Sequence, residues 1–179
     1  MPRCIAFLRA VNVGGRFIKM EALRTAFEAL GLAKVETFIA SGNVIFETRA
    51  RDLAALERRI EAHLHASFGF EIDTFIRTKA ELAAIVAHLA FDAAEAAAAN
   101  THVVGFIAKA PEPAVAALLG RFETPNDRFQ LHARELHWIS SNKQSETTFS
   151  NAAFERTLKL RATFRNHSTL RKLLLEKLR

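Results

Sequence analysis

The stretch Val35-Glu36-Thr37-Phe38-Ile39-Ala40-Ser41-Gly42-Asn43-Val44-Ile45-Phe46-Glu47-Thr48 decides the fold. Val35 to Ala40 and Val44 to Thr48 are rich in β-branched and aromatic residues, which favour extended backbone. Between them stands Ser41-Gly42-Asn43, a turn-forming connector too short for anything but a hairpin. Two adjacent antiparallel strands are therefore expected here.

The chain reads outward from this hairpin in both directions. Upstream, Met20, Leu23, Phe27 and Leu30 recur at helical spacing and Gly31 supplies a stop. Before them, Ile5 to Val11 is an apolar strand, broken by Asn12-Val13-Gly14-Gly15. Downstream, Leu53, Leu56, Ile60 and Leu64 mark a second amphipathic helix, and Glu71 to Arg77 a fourth strand. The order β-α-β-β-α-β is that of ferredoxin-like folds. A further helix follows, with Thr78 and Glu81 spaced as a capping box and Leu82, Ile85 and Leu89 on its apolar face.

The same order recurs in the second half. Thr101 to Lys109 reads as a strand, and Pro111 and Pro113 stand where a helix begins. Phe129 to His132 and Leu136 to Ile139 form a second hairpin. After the polar connector Ser140 to Ser150, the residues Phe149, Phe154 and Leu158 indicate a helix, and Ala162 to Arg165 a short strand. Ser168 then caps a final helix carrying Leu170, Leu173, Leu174 and Leu178. The fold class expected is α+β, with two ferredoxin-like subdomains in tandem. Residues 1–90 hold the first with its extra helix, 91–100 an Ala-rich helical joint, and 101–179 the second with a basic C-terminal helix.

Composition agrees with a globular protein. Of 179 residues, 50% are hydrophobic and 25% charged, which excludes fibrous and disordered classes. The run Cys4 to Leu8 is shorter than the apolar region of a secretory signal, and the Ala-rich stretch around Glu95 is too short to cross a bilayer. The expectation is a cytoplasmic protein with no membrane partner. The single cysteine, Cys4, excludes an internal disulfide and a multi-thiolate zinc site, and its apolar setting makes it a buried, inert thiol.

The formal net charge of +6 is unevenly placed. Residues 156–179 hold eight of the 25 basic side chains and one of the 19 acidic ones. These are Arg156, Lys159, Arg161, Arg165, Arg171, Lys172, Lys177 and Arg179. A basic segment suits an anionic partner, nucleic acid or a phosphorylated ligand, and equally a solvated helix face.

The topology brings two connectors to one end of the first sheet. Strands one and two run parallel with strand three antiparallel between them, so the Asn12 to Lys19 loop and the Ser41-Gly42-Asn43 turn lie side by side. Gly14 and Gly15 permit a concave nest of backbone N–H groups. Arg16 and Lys19 add charge, and Ser41 and Asn43 add side-chain donors. The plainer use of Gly-Gly and Ser-Gly-Asn is as tight turns needed whether or not anything binds.

These residues also carry a resemblance. The run Ala6-Phe7-Leu8-Arg9-Ala10-Val11-Asn12-Val13-Gly14-Gly15, with Lys19-Met20, Leu23, Gly31, Val35 and Ser41-Gly42-Asn43-Val44-Ile45-Phe46, resembles the signature of a bacterial family, domain of unknown function 1697. Thr163-Phe164-Arg165-Asn166, with Thr169 and Lys172-Leu173, resembles its second motif. The resemblance implies two ferredoxin-like subdomains, implies no activity and carries over no catalytic residue. Ala10 stands where Gly is usual, Phe38 where Tyr is usual, and His167 replaces the common Trp after Arg165-Asn166. The Ser140–Ser150 connector lacks the Gly-rich, Arg-containing pattern of the family.

The seven histidines are scattered in sequence. His63 and His65 point apart on a helix. His132 and His137 would face each other only if Arg134-Glu135 formed the turn; these are poor turn residues, and both histidines read as surface groups. No metal ligand set emerges, and no cofactor is indicated. His167, beside Arg165 and Asn166, stands in a setting suited to a general acid or base, or to a polar cap. Phe7 and Phe46 lie on the central strands, where RNA-binding sheets carry stacking aromatics, yet fifteen phenylalanines without a tyrosine read as core.

The reading with the widest support is a binding protein for a phosphate-bearing ligand, a nucleotide or nucleic acid. The candidate residues are Asn12, Gly14, Gly15, Arg16, Lys19, Ser41, Asn43, Arg165, Asn166 and His167. The alternatives are an enzyme with a site near Arg165-Asn166-His167, in a cleft between the subdomains, and an oligomeric interaction module.

Overall fold

The computed structural model describes residues 1–39 and 42–178. By internal contacts the chain divides into two units, Met1–Ala84 with Leu173–Arg179, and Ile85–Lys172.

The first unit contains β1 (Arg3–Leu8), α1 (Met20–Ala29), β2 (Ala33–Thr37), β3 (Asn43–Glu47), α2 (Leu53–Phe68) and β4 (Thr74–Thr78). The sheet order is β2-β3-β1-β4, antiparallel throughout. Alternate residues Cys4, Ala6 and Leu8 face the core, with Val44 and Phe46 of β3, Leu23 and Phe27 of α1, and Leu56, Ile60 and Leu64 of α2. Gly31 at φ +76° follows α1, and Gly69 at +80° ends α2, as the loss of a Cβ allows. Thr78 and Glu81 form the expected reciprocal cap. The Thr78 N–H donates to Glu81 Oε2 at 2.7 Å, and the Glu81 N–H donates to Thr78 Oγ1 at 3.1 Å. They start α3 (Lys79–Ala87).

The strand boundaries differ from the sequence pattern. β2 ends at Thr37 rather than Ala40, and its register with β3 shifts between Ala33 and Glu36. Ile39 adopts φ +58°, which ends the extended run. β1 stops at Leu8, because Ala10 and Asn12 both turn to φ +60°. A side chain at that φ costs about 1 kcal/mol, so glycine is the natural residue where this chain has Ala10.

The second unit begins at Ile85. It contains α4 (Ala93–Ala98), capped by Asp92, then β5 (Thr101–Phe106), α5 (Pro113–Ala116) and a 3₁₀ turn over Ala117–Phe122. β6 (Asp127–His132), β7 (Glu135–Ser140), α6 (Asn151–Leu158) and β8 (Thr163–Asn166) follow, and α7 (His167–Lys177) starts in this unit, its residues from Leu173 on belonging to the first. The sheet order β6-β7-β5-β8 repeats that of the first unit. Ser150 accepts from the Ala153 N–H at 3.3 Å, and Phe149 before it packs on Phe154 within the first turn, a hydrophobic staple. β8 runs directly into α7, so Ser168 lies inside the helix and not at its cap.

Phe122, Phe129, Trp138, Phe149, Phe154 and Phe164 form one aromatic cluster, with Trp138 Nε1 donating to Asp127 at 3.0 Å. Gly105 on β5 is part of this arrangement. A Cβ there would stand 2.6 Å from the Phe164 ring. Gly105→Ala is therefore expected to destabilise the protein by about 1–3 kcal/mol, readable as a lowered urea midpoint. Phe164→Leu in the same chain should restore part of the loss.

Candidate functional site

The first connector is a closed loop. The Asn12 N–H donates to the Arg16 carbonyl at 2.8 Å, the Arg16 N–H to the Val13 carbonyl at 3.1 Å, and the Ile18 N–H to Asn12 Oδ1 at 2.9 Å. The N–H groups of Asn12, Arg16 and Ile18 are thus used within the loop, and the Asn12 side chain serves to hold it. Gly14 and Gly15 sit at φ +60° and +81° on the exposed tip. The Arg16 guanidinium lies 5.4 Å above the Phe70 ring, and Lys19 is exposed ahead of α1 without a capping bond.

The second connector meets the first. The Leu8 N–H donates to the Gly42 carbonyl at 2.8 Å, and Gly42 packs against Leu8 and Val11 so closely that a Cβ would come within 3.1 Å of Leu8. Asn43 is fully buried and donates to the Phe38 carbonyl at 3.0 Å. It fastens the hairpin. Ser41, the remaining candidate in this group, lies outside the described residues. Phe7 and Phe46 are both fully buried, and Phe46 packs on Phe27 at 5.8 Å, so neither is a stacking platform. Cys4 is buried too, and burial with the nearby Glu81 charge pushes its thiol up to about 11, away from thiolate chemistry.

The C-terminal motif divides. Arg165 is 9% exposed, and its guanidinium donates to Thr163 Oγ1 at 2.8 Å and to the Phe164 carbonyl at 2.9 Å. Desolvation lowers it to about 10, and it stays charged at neutral pH. Asn166 and His167 instead line a pocket of about 390 Å³. Lys143 and Gln144 from the β7–α6 connector complete it with Asn100, His102, Ser168 and Arg171. Among the described residues, two cations and no carboxylate line this space. Lys143, Gln144, His102 and Arg171 were missing from the sequence-derived site. Only Arg171 had a signal there, as part of the basic tail.

Behind the pocket lies a layer of histidines. Val104 of β5 pairs with His137 of β7, and Gln130 of β6 pairs with His137 on the other side. By alternation His102, His132, Glu135 and His137 share one sheet face. His102 stacks on His167 with ring centroids 4.1 Å apart and planes 5° apart. His88 stacks on His132 at 4.0 Å and leans on His137 at 5.0 Å. Nε2 of His167 donates to the Val86 carbonyl at 3.2 Å, and Nε2 of His88 meets Gln130 at 2.9 Å. His137 is 1% exposed, and neither of its ring nitrogens has a hydrogen-bond partner; Nε2 of His102 is likewise buried and unpartnered.

This corrects the surface placement of His137. The hairpin turns at Ala133-Arg134, with Ala133 at φ +51° and His132 opposite Glu135, not at Arg134-Glu135. The one-residue difference places His137 opposite Gln130 rather than His132, and packing over that sheet face buries it. Burial, reinforced by four neighbouring imidazoles, drives His137 down to about 3, and burial with His167 nearby drives His102 down to about 4. His167 is lowered by desolvation, with Arg171 adding and its bond to Val86 opposing. No group of three or more His, Cys, Asp or Glu side chains among the described residues is arranged to hold a metal ion.

The basic tail is not one surface. Arg156 is on α6, Lys159 at its left-handed C-cap, Arg165 buried on β8, and Lys177 bound to Glu36 at 3.2 Å. Arg171 and Lys172 remain exposed on α7. No helix among the described residues is long and apolar enough to cross a membrane.

Two four-stranded antiparallel sheets with helices, each in the order β-α-β-β-α-β, define an α+β protein of tandem ferredoxin-like units. The chain belongs to the family described as Protein of unknown function (DUF1697), whose model matches residues 1–137. Among solved structures it is similar to the conserved bacterial protein SP0830 from Streptococcus pneumoniae. The TM-score is 0.76 at 22% identity, over 100% of this chain and 99% of that one. That likeness is one of fold. No curated protein matches the chain significantly.

Proposed function

We propose that the second unit binds a phosphate-bearing small molecule, of nucleotide class, in the pocket lined by Lys143, Asn166, His167, Ser168 and Arg171. One observation carries the reading. Two cations, a helix start, hydroxyl and amide donors and two imidazoles converge on one concavity that no carboxylate among the described residues lines. Its volume of about 390 Å³ falls in the range of small-ligand sites. Arg171 supplies the planar fork suited to phosphate oxygens, and the first turn of α7 adds its partial positive charge. The small-molecule form is preferred to nucleic acid because the basic tail is dispersed and the sheet aromatics are buried.

A thermal-shift screen with nucleotides, inorganic pyrophosphate and short oligonucleotides tests it. A ligand at 100 times its Kd adds about 2.7 kcal/mol, a rise of about 5–10 °C for a chain of this length. Arg171→Ala should remove a charge-assisted contact of about 1.5–3 kcal/mol and weaken binding about 10- to 100-fold, while Arg16→Ala leaves it unchanged. A shift abolished by Arg16→Ala instead would move the site to the first loop. A salt-erased shift with oligonucleotides alone would favour nucleic acid.

A further inference from the structure

We propose that this pocket takes up its anion together with a proton, which the stacked His102–His167 pair accepts. The proposal rests on the reading that the pocket holds a phosphate group. The two rings lie 4.1 Å apart and nearly parallel, so both cannot be charged at low cost. They are also the two imidazoles of the pocket wall, the side-chain type whose ionisation a neighbouring charge most readily shifts.

The charged side chains that line the pocket oppose protonation. Lys143 approaches from the β7–α6 connector and Arg171 from α7. Glu146, whose Oε2 accepts from the Lys143 N–H at 3.3 Å, is the carboxylate of that connector. His137 on β7 shares the sheet face of His102 and is uncharged at neutral pH, with His88 after α3 leaning on its ring and His132 on β6 beyond. Arg165 on β8 occupies the same sheet row as His137, through Val104. Glu135 is the carboxylate on that face, two residues along β7 and opposite Phe106, and it does not line the pocket. The pocket wall is thus short of negative charge, and burial first, and then neighbouring charges, hold His102 and His167 below the usual imidazole range.

The hydrogen bonds leave room for the proton. The Val86 carbonyl only accepts, so Nε2 of His167 carries hydrogen and Nδ1 is its basic atom. Nε2 of His102 is buried without a partner. A phosphate group beside Arg171 and Lys143 brings the counter-charge that the wall lacks. An opposite charge within about 4–6 Å raises an imidazole by about 1–3 units. The linkage has a definite sign. Because the bound form holds its proton to higher pH than the free form, affinity rises as pH falls, by up to about tenfold per pH unit between the two midpoints.

The test follows the histidine ring signals by NMR in the full chain, with inorganic pyrophosphate as the probe. The titration midpoint of His102 or His167 is expected to rise by about one unit or more on saturation, and Arg171→Ala is expected to cancel the rise. His102→Gln should keep binding at pH 8 and lose most of the gain at pH 6, which a merely structural role would not do. Signals of the pocket that respond to pyrophosphate with unmoved midpoints would overturn the coupling and leave the binding reading standing. No response of any pocket signal between pH 5.5 and pH 8 would overturn both.

Discussion

Phe154→Ala is expected to cost about 3–5 kcal/mol, a large share of the stability of a single domain. The side chain is fully buried at the start of α6. Its ring meets Phe122 at 6.2 Å, Phe149 at 6.2 Å and Phe164 at 5.8 Å. Truncation removes the transfer energy of the ring and leaves a void that its neighbours, themselves interlocked, cannot fill by small shifts. It also removes the partner of the Phe149 staple, so α6 loses its anchor as well as its packing. Trp138, the one tryptophan of the chain, lies in the same cluster, and its fluorescence through a urea titration reads the effect directly. Phe154→Leu should lose well under half as much. Equal losses for Leu and Ala would mean that ring geometry, rather than the filled volume, sets the stability.

Acidification is expected to destabilise the protein, and His137 is the group responsible. Its folded value of about 3 lies far below that of an unfolded histidine, near 6.5. The unfolded chain therefore binds the proton first as pH falls. The contribution of His137 is complete above pH 6.5 and is lost progressively down to about pH 3. Between pH 7 and pH 5 this one side chain, only 1% exposed, accounts for about 2 kcal/mol. His137→Leu should flatten that part of the pH dependence. It should also be neutral or stabilising at pH 7, because it replaces two unpartnered buried nitrogens with apolar volume. Urea midpoints at pH 7 and pH 5 for the two proteins measure it. An unchanged pH dependence in His137→Leu would assign the acid sensitivity to other groups.

Local signals were legible wherever the physics is local. The Thr78–Glu81 cap, the Gly31 stop and the helix through Phe154 and Leu158 involve residues a few positions apart, and each stands where its pattern places it. Strand ends were less legible. An apolar run such as Ile5 to Val11 says that the chain can extend, while the left-handed turns at Ala10 and Asn12 decide where pairing stops. Asn12, Asn43 and Arg165 looked like binding residues because polar side chains in loops and motifs bind ligands or hold turns with equal ease. Their hydrogen bonds to Ile18, to Phe38 and to Thr163 and Phe164 put them in the second role.

The sequence alone determined the element order, the hairpin about Gly42, the duplication of the β-α-β-β-α-β unit and the aromatic core, since periodicity, turn chemistry and composition are written along the chain. The juxtaposition of the first two connectors also followed, because topology dictates it once the order is known. Only the tertiary structure decided which side chains share a face. Register in a hairpin depends on turn placement, and the turn at Ala133-Arg134 sets His137 opposite Gln130, while packing over that sheet face buries it. Five histidines separated by up to 79 positions thereby become one layer, and Lys143, His102 and Arg171 become neighbours of Asn166 and His167 around one pocket. Residues so far apart in sequence are joined by sheet pairing, and pairing partners leave no mark on the residues themselves.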